Sequence, residues 1–141
     1  MKRLLASLLL FVQEAVPAAD LSLAVEETPA KAELMALLKD KRINESSGLA
    51  ISRRSSGLLW TINDSGGAAT VFGIDLRGET VTEIELTNAK NIDWEDLASG
   101  PNAEGQPCLF VADIGDNLSA RSNVQIYEVP EPDAATGTRG H

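Results

Sequence analysis

The sequence predicts an all-β fold of short antiparallel strands, and three observations carry that reading. From Ile43 onward, apolar runs of about four to six residues follow one another. Clusters of Gly, Ser, Asn and Asp separate them. The pattern then repeats: Leu49 and Leu97 stand 48 residues apart, and Asp64 and Asp113 stand 49 apart. Short strands with closely spaced turns favour antiparallel sheets. A repeat of roughly 40–50 residues holding about four strands is the pattern of propeller-type blades.

The first element is a targeting segment. Lys2 and Arg3 form a positive start, residues 4–12 (LLASLLLFV) an apolar run, and Val16, Pro17 and Ala18 a cleavage-type ending. This pattern predicts a secretory signal peptide over residues 1–18, and hence a secreted or periplasmic protein. The run is too short for a membrane span, which needs roughly 20 residues. The expected mature chain has no stable membrane span. A leader over residues 19–42 follows. Thr28 and Pro29 can start a helix there. Leu34, Met35, Leu37 and Leu38 would share one face of it, and it would end near residues 39–41.

Strands are expected at residues 48–52 (GLAIS), 58–62 (LLWTI), 70–75 (TVFGID) and 80–86 (TVTEIEL). RRSSG, NDSGG and LRGE supply the turns between them. The second copy runs through residues 95–100, 109–115 and 124–128. The expected fold is therefore about two four-stranded antiparallel propeller-type blades over residues 43–132, with a short N-terminal helix. Residues 133–141 (DAATGTRGH) are expected to be a disordered tail.

Composition narrows function. The chain has 141 residues, with 12 Lys+Arg, 21 Asp+Glu and a net charge of −9. Removal of residues 1–18 takes Lys2, Arg3 and Glu14, which leaves 10 basic and 20 acidic residues. Such an acidic chain is a poor partner for nucleic acid or anionic lipid, because both require Lys/Arg to neutralise phosphates. One cysteine, Cys108, permits no internal disulfide and no CxxC site. It reads as a small buried residue. The one histidine is His141, so histidine acid–base chemistry in an ordered core is not expected.

Three acidic loops carry the candidate chemistry. They hold Asp64 in NDSGG, Asp93, Glu95 and Asp96 in DWED, and Asp113, Asp116 and Asn117 in DIGDN. Carboxylates, amides and glycines at this density suit a hard cation such as Ca²⁺, which takes six to eight oxygens. Asp64 and Asp113 hold equivalent repeat positions and could face one site. The competing reading is that these residues close their own turns through side-chain bonds to backbone N–H groups. None of the loops follows the EF-hand spacing. Trp94 and Asn63 are the candidate ligand-binding residues, because Trp94 lies among carboxylates and an indole can stack on a ligand. Trp60 sits in an apolar strand and reads as core. The DSGG stretch lacks a histidine before it and does not form a serine-protease site.

The strings NESSGLA (44–50), LWTINDSG (59–66), DWEDLA (93–98) and VADIGDN (111–117) resemble the opening blades of a largely uncharacterised family of secreted bacterial β-propellers. That family lies near the phytase-like, NHL-like and SdiA-regulated-like groups. The resemblance spans about residues 43–132. It implies a propeller fold, further blades in full-length relatives, and so a truncated chain that self-associates or needs the missing blades. It transfers no firm activity. The expected function is an extracytoplasmic propeller fragment that binds a small molecule or a protein. The alternative is a remnant of a calcium-dependent propeller hydrolase of phytase or lactonase type. A phosphate-handling site would need several cations, and between residues 43 and 132 they are Arg53, Arg54, Arg77, Lys90 and Arg121.

Overall fold

The computed structural model describes residues 30–133. The expected signal peptide and all but the start of the expected tail lie outside the described residues. Seven strands form two antiparallel sheets. The first contains β1 (Ser46–Ile51), β2 (Leu58–Asn63), β3 (Thr70–Asp75) and β4 (Thr80–Glu85), in that order. The second contains β5 (Trp94–Pro101), β6 (Pro107–Asp113) and β7 (Gln125–Pro130), also in chain order.

The turns form as their residues dictate. Asp75 Oδ1 accepts the N–H groups of Arg77 (2.9 Å) and Glu79 (3.0 Å), which folds the β3–β4 turn. Gly78 closes it at φ 82°, a left-handed angle that a Cβ disfavours. Asn102 Oδ1 does the same work between β5 and β6, accepting from Glu104 and Gln106.

The repeat extends into the backbone. In β1 the register shifts between Ser46 and Gly48, leaving Ser47 as an extra residue opposite the end of β2. In β5 it shifts between Trp94 and Asp96, leaving Glu95 extra opposite the end of β6. Ser47 and Glu95 stand 48 residues apart, so both sheets carry a β-bulge at the same repeat position. A bulge redirects the side chain it carries.

The two sheets meet through their first strands. β1 packs on β5, and a Cβ at Gly48 would lie 2.6 Å from the Leu97 backbone nitrogen. Only glycine lets the two backbones come so close. Ser47 Oγ–H donates to the Trp94 carbonyl at 2.7 Å across the same contact. The shared core contains Trp60, Ile62 and Val71 from the first sheet and Trp94, Leu97, Leu109 and Val111 from the second. Cys108 is fully buried as a free thiol, and burial raises its pKa.

Two expectations change. There is no helix among the described residues, and residues 30–40 have no regular secondary structure. Residues 37–39 instead run against the β3–β4 turn, where Lys39 N–H donates to Gly78 O at 3.1 Å. Arg42 then lies over the Phe72 ring, 5.3 Å from its centroid, and pairs with Asp40 and Glu83. Leu34, Met35, Leu37 and Leu38, the expected apolar helix face, are exposed. A two-turn helix is marginal without a packed face, so external backbone partners prevail. The second sheet also has three strands among the described residues, not four.

Candidate metal centre

Asp64, Asp93 and Glu95 converge at one end of the paired sheets. One carboxylate oxygen from each lies within 4.8 Å of the others. Two strand ends deliver them. Asp64 directly follows β2, and its N–H is held by Glu45 O at 2.9 Å. Asp93 directly precedes β5, and Glu95 is that strand's bulge residue. The Trp94 N–H donates to Asp64 O at 3.3 Å, so the first sheet's β2–β3 loop is bonded to the second sheet's entry.

Gly115 forms the wall of the cluster. Its N–H donates to Asp93 O at 3.0 Å. A Cβ at Gly115 would collide with the Asp93 carboxyl group and would lie 2.6 Å from Glu95 Oε1. The missing side chain therefore makes room for the two carboxylates.

The electrostatics are unfavourable without a positive charge. Asp93 is 9% exposed. Burial, and next the adjoining Asp64 carboxyl, push the Asp93 carboxyl above its ordinary pKa. Asp64 Oδ1 is buried with no hydrogen-bond partner among the described residues. Carboxylates this close relieve their repulsion by sharing a proton or binding a cation.

Asp113 is close by but has another role. It is fully buried, its Oδ1 accepting the Asp93 N–H at 3.0 Å and Arg121 Nη1–H at 2.7 Å. Arg121 also donates to Gly115 O at 2.9 Å, and contact with Asp113 raises its own pKa. This buried ion pair clamps the loop that bears Gly115. Asp113 Oδ2 has no hydrogen-bond partner among the described residues.

The remaining sequence candidates have different places. Asp116 closes its own turn, its carboxylate accepting the N–H groups of Ala120 (2.8 Å) and Arg121 (3.1 Å). Asp96 is exposed, and its Oδ1 accepts the Leu97 N–H at 2.8 Å. Asn117 is exposed at the edge of a cleft of about 300 Å³ that Asp93, Asp116 and Arg121 also line. Asn63 ties down the segment that enters β1, its Nδ2–H donating to Arg42 O at 2.6 Å. Trp94 is fully buried, tilted against Tyr127 with ring centroids 6.3 Å apart, and donates Nε1–H to Lys90 O. Sequence reasoning passed over Gly115 as a wall and Arg121 as a clamp. The step from Asp113 to Arg121, eight residues across a loop, gave no periodic signal.

Comparison with family models, curated proteins and solved structures yields no match. Among the described residues no helix is long and apolar enough to cross a membrane.

Proposed function

We propose that the chain is a pair of propeller-type blades from an extracytoplasmic binding protein, and that Asp64, Asp93 and Glu95 hold a hard divalent cation, Ca²⁺ by preference, at the junction between blades. The convergence of those three carboxylates within 4.8 Å carries the reading. Supporting it are the buried, partnerless Asp64 Oδ1 and the space left by Gly115. The blade assignment draws on the equal strand order of the two sheets and their matched bulges. The extracytoplasmic assignment draws on residues 1–18 alone.

The donor chemistry selects the ion. All three side chains offer hard oxygen, which favours Ca²⁺ or Mg²⁺ over metals that prefer sulfur or imidazole. Three carboxylates supply three to six oxygens, and water would complete a Ca²⁺ shell of six to eight. The bound ion would bridge β2's exit to β5's entry and so fix one blade against the next.

Thermal unfolding with Ca²⁺ and with EDTA tests this. At a hundredfold excess over Kd, the ion should stabilise the fold by about 2.7 kcal/mol. The Asp93→Asn chain should melt at one temperature in both conditions. Equal melting of the parent chain in Ca²⁺, Mg²⁺ and EDTA would leave proton sharing between Asp64 and Asp93 as the explanation of the cluster.

A further inference from the structure

The two sheets follow the same order for three strands and then part. In the first, β4 pairs with β3 and completes four strands. In the second, β7 is the last strand among the described residues. The register shows which of its groups are free. Glu131 N–H donates to Pro107 O at 3.0 Å, just beyond the Cys108–Pro130 pair. In an antiparallel ladder, alternate residues face the partner. Val129, Tyr127 and Gln125 therefore direct their backbone polar groups to β6. Ile126 and Glu128 direct theirs to the outer edge, which has no strand partner among the described residues and where Pro130 offers only a carbonyl.

A groove of about 430 Å³ runs beside this edge, between the end of β4 and β7. Ile84, Leu86, Ile126 and Val129 give it apolar surface, and Glu85 and Glu128 give it charge. Among the described residues no cationic side chain lines it.

We propose that the β7 edge is a strand-addition site for an extended segment of another protein, one that alternates apolar residues with Lys or Arg. The open N–H and C=O groups of Ile126 and Glu128 supply the ladder, as exposed sheet edges do. Ile84, partly buried at the groove, receives the strand's apolar side chains. Glu85 and Glu128 select its charge. A second copy is a poor occupant, because β7 carries no Lys or Arg to face Glu85 and Glu128. The site shares no residue with the acidic cluster.

The test uses the full chain and two blocked heptapeptides. One has the sequence of residues 80–86 (TVTEIEL), which fills the fourth position of the first sheet. The other has that sequence with E83K and E85K. The lysine peptide should slow amide exchange at Ile126 and Glu128 and bind about tenfold more tightly than the glutamate peptide at low salt. The gap should close near about 0.5 M salt. Glu128→Lys should reverse the preference. Ile126→Pro removes an outward N–H while leaving the β6 pairing, and should abolish binding of both peptides. Equal binding of the peptides, or slowed exchange at β1 in place of β7, would overturn the proposal. So would sedimentation of the chain alone as a dimer that Ile126→Pro dissociates, which assigns the edge to a second copy.

Discussion

Replacing Glu131 by alanine should destabilise the paired sheets more than any surface substitution. Glu131 is 2% exposed and follows β7, yet its carboxylate bonds to the first sheet. Oε1 accepts Trp60 Nε1–H at 2.9 Å and Ser52 Oγ–H at 2.5 Å, and both oxygens accept the Arg53 N–H at 3.1 Å. Glu131→Ala removes all of these bonds. Ser52 Oγ keeps the N–H groups of Arg54 and Ser55, and exposed Arg53 can turn to water. The Trp60 indole cannot, since Trp60 is fully buried. An orphaned buried donor costs about 1–3 kcal/mol, and bonds to a charged acceptor are worth about 1.5–3 kcal/mol. Because these overlap, the expected loss is about 3 kcal/mol. For a body of this size it lowers Tm by roughly 15 °C. Glu131→Gln keeps an acceptor for the indole and should lose about half as much. A double-mutant cycle with Trp60→Phe isolates the indole bond, and the Glu131→Ala loss should shrink by about 1.5 kcal/mol in that background. Denaturant titration measures all five chains, the parent included. A loss below about 1 kcal/mol, or the same loss with and without the Trp60 indole, would refute the argument.

The remaining predictions follow from single contacts. Gly115→Ala puts a methyl group into the space of the Asp93 and Glu95 carboxyls, so stabilisation by Ca²⁺ should vanish in a calorimetric melt while the fold is kept. Gly48→Ala forces β1 off the Leu97 backbone and should cost about 2 kcal/mol by denaturant titration, as overpacked contacts do. Asp40 is held down to a pKa of about 2, first by the Arg42 side chain and then by its backbone N–H. A lowered folded pKa stabilises the native state above the ordinary 3.8 and loses that effect as pH falls toward about 2. Arg42 is largely exposed, which limits the gain to about 1 kcal/mol. Asp40→Asn should therefore cost that much at pH 6 and almost nothing near pH 2.

The strands were legible because their signals are local. Alternation in TVTEIEL and apolar runs such as LLWTI reflect a period of two along one strand. The turn residues Asp75 and Asn102 also act through neighbours two to four positions away. The course of residues 33–40 was not legible, because its spacing fits a helix and its actual partner, the Gly78 carbonyl that holds Lys39 N–H, lies 39 residues away. The acidic cluster was legible in part. Residue type and repeat position singled out seven residues. Which of them meet depends on a one-residue bulge that aims Glu95, and on whether each loop uses its own carboxylate. Asp116 and Asp96 spend theirs on nearby N–H groups. Asp64 Oδ1 stays unspent.

The repeat also explains why the cluster sits at a junction. Ser47 and Glu95 occupy the same bulge, yet the two side chains do different work. Ser47 reaches forward and bonds the Trp94 carbonyl, fastening the first sheet to the second. Glu95 meets a carboxylate from the preceding sheet, Asp64, and one from its own entry, Asp93. Neither sheet alone can assemble that set. Asp64 leaves β2 at the end of one repeat's second strand, and Asp93 enters the next repeat's first. Repulsion among the three would push the sheets apart at this end, against the Gly48–Leu97 contact that holds them together. The proposed cation would change the sign of the interaction. The same three residues would then become a second fastening, whose strength would follow ion concentration.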